Sequence, residues 1–418
     1  MILRRRLFLY PKFESEELFM TQTTYFNAQL FDGLHDGFTA NSWFTVDDES
    51  GKLTATGTGD APASDQQVDL HDQYVTPGFM NCHVHLGSNA HQLAAGKRSE
   101  TEVTLLGLQN LQDLLKSGVT YVRNLSSHYD VDIKLRDAQP VYGFKAPHVV
   151  ASGRAMSATG GHGDSPDHTE DESYVVDSPD EMRHAVRLGF KHGADVIKLM
   201  ATGGVMSVAD SPLDAEFTLE EMAVATREAH ARRGKVAAHA QGTEGIGLAL
   251  KAGVDSIEHG IFLDEAEAEY MKEHKVYLVP TLNAVQGIVD YGQGQIPDYM
   301  VKKASDFAQA FFKNMKMAVK AGVPFATGTD AGTPFNDFET GYFDELNLLV
   351  NKVGMPVQQV LYAATKNAAD LLGVADEYGS LQTGKYADFL VLKGNLLEDV
   401  NNFRQADKQV YLHGQRMF

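Results

Sequence analysis

A chain of 418 residues exceeds what one hydrophobic core usually covers, so two structural units are expected. With 43% apolar and 22% charged residues, and no uncharged apolar run near the roughly 20 residues that cross a bilayer, the composition argues against disorder and membrane insertion. A formal net charge of −20 repels phosphate backbones and anionic lipid, so neither nucleic acid nor a membrane is an expected partner, and the single cysteine, Cys82, forbids an intramolecular disulfide and suits a reducing cytoplasm.

Met1 to Met20 begins with Arg4, Arg5 and Arg6 and a short apolar stretch, but Pro11, Lys12 and the acidic Glu14, Glu16 and Glu17 interrupt it before any usable signal-peptide core. A loose N-terminal extension is expected over 1–20, with Met20 an alternative start. From Thr24 to Val75 short extended pieces, Tyr25 to Phe31, Ser42 to Val46 and Lys52 to Thr56, alternate with turn-rich stretches. The C-terminal tail has the same texture at Asp388 to Leu392 and Gln409 to Leu412. The two ends, 21–76 and 376–418, are therefore expected to share one β-sheet or β-sandwich.

Between them, over 77–375, β-branched runs alternate with helix-like segments, the pattern of repeated βα units. Candidate strands end near His85, Asn124, Ser152, Lys198, His239, His259, Thr281 and Asp330. Amphipathic stretches lie at Thr101 to Ser117, Ser178 to His192, Thr218 to Arg233, Glu244 to Ala252 and Ser305 to Ala321, and Gly118, Gly193, Gly234, Gly253 and Gly322 fit C-terminal caps. Eight such units predict an α/β fold, a (β/α)₈ TIM barrel whose site lies at the C-terminal ends of the strands. The Gly287 to Asp306 segment reads as either a lid over that mouth or a plain connection.

Because side chains alternate along a strand, His83 and His85 share one side and could bind one cation, or form a chance surface pair. By the same parity Cys82 points to the opposite face as a buried thiol. His239 and His259 each end an apolar strand; alone they read as core histidines, but in a barrel they converge on the mouth with the first pair. Lys198 lies inside a strand buried on both sides, where desolvation favours the neutral amine. It could form a Schiff base, react with CO₂ to give a metal-bridging carbamate, or pair with a buried acid. Asp330, in Thr327-Gly328-Thr329-Asp330-Ala331-Gly332, could ligate a metal and take a proton from water, or simply make a turn.

Pro77-Gly78-Phe79 leading into His83-Val84-His85, then Lys198, His239, His259 and Asp330, resembles the amidohydrolase superfamily, specifically its binuclear carboxylated-lysine members. The resemblance covers nearly the whole chain and implies the barrel, the terminal β-sandwich and metal-assisted hydrolysis. It implies that His83, His85 and Asp330 hold a more buried divalent ion, expected to be zinc, that His239 and His259 hold a more exposed one, and that a CO₂-derived carbamate on Lys198 bridges them. Ser152-Gly153-Arg154, Thr159 to Asp164, Ala201-Thr202-Gly203-Gly204 and Gly242 to Ile246 resemble the branch of Xaa-Pro dipeptidases, Xaa-Arg or Xaa-Lys carboxypeptidases and imidazolonepropionase-related hydrolases. In that branch His162 is a candidate to polarise the scissile carbonyl, with a loop-stabilising histidine as the other reading. Gln241 departs from the tyrosine or histidine often found there, which bears on substrate carboxylate recognition.

The implied activity is hydrolysis of amide bonds in dipeptides or N-acyl amino acids by a hydroxide bridging two ions, with Asp330 as base, in a cytoplasmic homo-oligomer. Mononuclear deamination or cyclic-amide opening is the second reading, against which Lys198 stands. An inactive oligomeric scaffold is the third, against which the complete ligand set stands.

Overall fold

The computed structural model describes residues 21–91, 98–164, 173–207 and 210–418, so the expected N-terminal extension lies outside the described residues. Four strands open the described chain: β1 (Gln22–Leu30), β2 (Thr39–Asp47), β3 (Leu53–Thr58) and β4 (Gln66–Pro77). Nine follow through the middle: β5 (Phe79–Val84), β6 (Val119–Asn124), β7 (His148–Ala151), β8 (Ala155–Ser157), β9 (Ser173–Val175), β10 (Val196–Met200), β11 (Lys235–Ala240), β12 (Ser256–His259) and β13 (Tyr277–Val279). β14 (Phe389–Leu392), β15 (Gln409–Leu412) and β16 (Gln415–Arg416) close the chain. The two ends do meet: β14 pairs antiparallel with β4, giving one seven-stranded sheet in the order β16-β15-β14-β4-β1-β2-β3. Tyr25, Phe44, Phe389 and Tyr411 stack on one another in its core.

The middle strands form two parallel sheets, β13-β12-β11-β10-β8-β9 and β5-β6-β7, of the TIM-barrel type but without one closed ladder. The eighth predicted strand, ending at Asp330, is instead an irregular seam. Pro324 there has no N–H to donate, and Gly328 passes so close to Val279 and His83 that a Cβ would lie 2.3 Å from the valine. The seam still spans the gap, Ala326 donating to Leu278 O (3.0 Å) and Cys82 donating to Thr327 O (2.8 Å). At the other gap, Asp195 N–H donates to Ala151 O at 2.8 Å.

Helices α1 (Glu100–Ser117), α2 (Val131–Tyr142), α3 (Pro179–His192), α4 (Leu219–His230), α5 (Thr243–Ala252), α6 (Glu265–His274), α7 (Leu282–Tyr291) and α8 (Asp298–Ala321) alternate with the barrel strands, and α9 (Gly341–Leu348), α10 (Val357–Ala364) and α11 (Lys366–Leu372) follow the seam. Reciprocal capping boxes start α1 at Ser99/Glu102, α4 at Thr218/Glu221 and α6 at Asp264/Glu267. Left-handed glycines end α1, α3, α5 and α8 as expected, but α4 ends at Ala231. Gly234 serves packing instead: a Cβ there would meet the Phe190 ring at 2.5 Å.

The segment Gly287 to Asp306, read as a lid or a plain connection, is mostly helical. Pro297 caps α8, whose start comes seven residues before the predicted Ser305, and Val301 and Ala304 bury one face of the added turns.

Glu267 sits nearly buried between α6 and Gly247, and desolvation by that burial pushes its carboxyl up from 4.5 to about 8. The native state therefore holds a proton that the unfolded chain has released, so this contribution to stability is full below pH 4.5 and lost as pH rises through about 8. Glu267→Gln is expected to flatten the fall of the thermal midpoint between pH 5 and pH 8.5; equal slopes in the variant and the parent would remove Glu267 as the source.

Candidate active site

At the C-terminal ends of the barrel strands lies a cavity of about 140 Å³ whose wall includes His83, His85, His162, Lys198, His239, Gln241, His259 and Asp330. Every site residue named from the sequence thus reaches one place, although they arise from β5, β10, β11, β12, the seam and the loops after β8 and β11.

Several reach it by departures from regular geometry. Pairing of β5 with β6 slips between Asn81 and Val84, so simple alternation fails there. Cys82, expected on the opposite face, packs with Met80, Ala237 and Val279 on the side that carries Lys198 and His239, and its thiol is pushed up to about 12 by burial. It is an inert thiol beneath the site. His259 follows the inward Glu258 and would point outward in a regular strand, but its left-handed backbone (φ 69°) turns it back. Asp330 (φ 61°) and Thr281 (φ 53°) are left-handed as well, a concentration of backbone strain at the cavity rim.

Asp330 Oδ1 lies 3.0 Å from His85 Nε2 and 3.4 Å from His83 Nε2. Donor atoms of these three residues fall within 4.8 Å of one another, and neither His83 Nε2 nor Asp330 Oδ1 has a hydrogen-bond partner although both are buried. The rings continue as a chain, His83 to His259 at 5.1 Å, His259 to His239 at 4.6 Å and His239 to His162 at 4.4 Å between centroids. His83, Asp330, His239 and His259 are buried, and the His85 side chain is 24% exposed.

Desolvation holds His83, His239 and His259 well below the ordinary imidazole pKa, so they are neutral and offer lone pairs. Burial alone would raise Asp330, but the rings of His83 and His85 and the Lys198 charge outweigh it and hold it below the usual carboxylate range. Lys198 is 1% exposed and forms no ion pair among the described residues; burial lowers it to about 8 despite the pull of Glu258 and Asp330. The buried-acid reading of this lysine finds no partner within ion-pair distance.

Comparison with known proteins decides the family. The profile of the amidohydrolase family matches residues 74–417. The chain belongs to the amidohydrolase family. It is 33% identical over 365 residues to an ochratoxinase of Aspergillus niger, covering 79% of this chain and 72% of that one. It is 24% identical over 369 residues to an imidazolonepropionase of a Bradyrhizobium strain, covering 80% and 81%. Among solved structures, a Xaa-Pro dipeptidase with bound methionine superposes with a TM-score of 0.88 at 33% identity over 95% of this chain and 99% of that one. A prolidase complexed with N-methylphosphonate-L-proline gives 0.86 at 27% identity with the same coverage. The protein is a hydrolase acting on carbon–nitrogen bonds of small substrates.

Amidohydrolases generally use a divalent metal centre, and this donor set fits one: neutral imidazoles, a carboxylate and two orphaned buried atoms face one small volume. The amidohydrolase scaffold fixes these donors through partners that the sequence reading did not single out. Glu258 accepts from His83 Nδ1 (2.8 Å) and from Arg123 Nη2 (2.8 Å), while Arg123 Nε donates to Cys82 O (2.6 Å) and Nη1 to Ser256 (3.1 Å). Thr281 Oγ1 meets His259 Nδ1 at 2.6 Å. Asn81 donates to Thr329 at 2.9 Å, and Asn336 donates to Thr329 O at 2.7 Å, gripping the seam beside Asp330. A signal for the first set was present: Arg123 and Glu258, like Lys198, are charged residues inside apolar strands. His162 Nδ1 contacts Ser207 Oγ at 2.9 Å, and Glu216 receives the His162 backbone N–H.

Removing one partner of the fully buried Arg123–Glu258 pair leaves an uncompensated charge, at a cost of about 3–5 kcal/mol. Arg123→Met and Glu258→Gln are each expected to lose that much in denaturant unfolding, and the double variant less than their sum. Additive losses would show that the pair is not coupled.

Proposed function

We propose that the protein hydrolyses the amide bond of dipeptides or N-acyl amino acids at a binuclear centre. His83, His85 and Asp330 would hold one divalent ion, His239 and His259 the other, and a carboxylated Lys198 would lie between them; zinc suits this mixture of imidazole and carboxylate. The observation that carries the reading is the meeting of four histidines, Lys198 and Asp330 around one cavity, with His83 Nε2 and Asp330 Oδ1 buried without a well-formed hydrogen bond. The substrate class draws on the relatives, a Xaa-Pro dipeptidase and a prolidase by name.

Bound divalent ions would supply Lewis acidity and acidify water. The chain's own groups do the rest. Asp330 Oδ1, 3.0 Å from His85 Nε2, accepts the proton of the attacking water and returns it to the leaving nitrogen. His162, in contact with Ser207, donates towards the carbonyl oxygen. Gln241, whose buried Oε1 has no partner, offers a neutral amide to the substrate, and Met200, Val205 and Ile261 exclude water around the scissile bond. Lys198 weighs against the cyclic-amide reading that the imidazolonepropionase relative raises, because a mononuclear site has no use for a buried amine there. The division into 1–20, 21–76 with 376–418, and 77–375 belongs to the same proposal, supported by the β14–β4 pairing.

Asp330→Asn is expected to lower kcat by about 10²–10⁴-fold, the usual worth of a positioned base, while most metal is retained; turnover near the parent rate on dipeptide and N-acyl amino acid panels would reject the role. Lys198→Ala is expected to lose bound zinc and activity, and millimolar formate or propionate should restore part of both by replacing the carbamate. An alanine variant with full metal content and turnover would remove Lys198 from the centre.

A further inference from the structure

A second imidazole–carboxylate cluster lies away from the mouth, where the barrel strands begin. His148 opens β7, Asp388 precedes β14, and His413 follows β15, so the cluster joins the barrel to the end sheet. His148 and Asp388 are 240 residues apart in sequence, yet His148 Nε2 stands 3.1 Å from Asp388 Oδ2. The other carboxylate oxygen accepts the His413 backbone N–H at 2.8 Å. One donor atom from each of the three side chains falls within 4.8 Å of the other two.

We propose that His148, Asp388 and His413 bind one divalent transition-metal ion, zinc by chemistry, that staples the end sheet to the base of the barrel. Two imidazoles on one tetrahedral ion, with bonds of about 2.0 Å, have ring centroids roughly 5 Å apart. The His148 and His413 rings match that spacing at 5.0 Å and are stacked at 25°. That spacing falls between those of the mouth pairs His83–His85, 5.4 Å, and His239–His259, 4.6 Å.

The chemistry of each donor agrees. Asp388 is buried, and among the described residues no lysine or arginine pairs with it, so its charge lacks a permanent cation. Tyr378 OH meets His413 Nε2 at 3.2 Å, orienting the ring and leaving its other nitrogen for the ion. A cleft of about 1080 Å³ borders His148 and His413, together with Asp195 and Lys235 at the starts of neighbouring strands. It provides a route in and room for a water as fourth ligand.

The test counts zinc by plasma mass spectrometry on full-length protein, stripped with chelator and re-equilibrated with micromolar zinc. The parent is expected to hold one ion more per chain than His148→Ala/His413→Ala and than Asp388→Asn, with hydrolysis retained in both. Equal counts would overturn the site. Because a variant could fail to fold, anomalous diffraction at the zinc edge from parent crystals gives an independent reading: a peak within bonding distance of all three side chains is expected, and blank density there rejects the proposal. The difference of one ion does not depend on how many the mouth holds, so this inference and the catalytic reading fail separately.

Discussion

Everything at the mouth depends on the burial of one carboxylate. Glu258 has no access to water, and its charge is tolerable only because Arg123 reaches across the barrel to it from β6. That pair does more than cancel charge. Glu258 uses its second oxygen to hold His83 by Nδ1, which turns Nε2 towards Asp330, and Arg123 clamps the carbonyl of Cys82, next to the slip in β5 that lets His83 enter the cavity. A carboxylate behind a histidine fixes its ring orientation and raises its basicity as a ligand. The functional face is thus set from below by an ion pair that touches no substrate.

How much of this was legible depended on the range of the signal. Strand-end histidines, Lys198 and Asp330 announce themselves locally, because a polar residue in an apolar run is costly unless it has work to do. They all reached one cavity. Pairwise relations across the barrel were not legible: Arg123 and Glu258 are 135 residues apart, and nothing local says that each is the other's partner. Parity reasoning also failed where the backbone breaks its own period. Cys82 shares a side with Lys198 and His239, and His259 comes back into the mouth only through a positive φ.

The fold reading shows the same division. The starts of α1 and α4 were placed within a residue, since Ser99 with Glu102 and Thr218 with Glu221 satisfy orphan N–H groups by local contacts alone, whereas α6, with the same box at Asp264 and Glu267, was not singled out. The strands β8 and β9, three residues each, were too short to leave a period. β4 was hidden by Asp, His and Gln side chains, because one of its faces is exposed. The early start of α8 was masked by Pro297, which reads as a breaker but here stands at the N-cap, where its missing N–H costs nothing.

The seam that replaces the eighth strand gives a reason for Asp330, the proposed general base, to stand there and not on a regular strand. A ladder strand holds its residues at negative φ and points alternate side chains inward, whereas Asp330 needs φ 61° to face His83 and His85 together. Such a conformation persists only if its surroundings over-determine it. Here backbone bonds remain, Asp330 N–H donating to His83 O at 2.8 Å and His85 N–H to Ala331 O at 2.9 Å, and side chains add to them. Thr329 N–H donates to Asn81 Oδ1 at 3.1 Å, Ala331 N–H to Thr329 Oγ1 at 3.0 Å, and Tyr342 OH bridges Thr327 and Met80 O at 2.8 and 2.9 Å. These bonds are buried, where low polarity strengthens them, and they help to restrain the seam. The irregular ladder lets Asp330 take a positive φ while its backbone bond to His83 and the surrounding side chains keep it fixed. The role proposed for Asp330 requires a closely held position, and this arrangement supplies that constraint without regular structure.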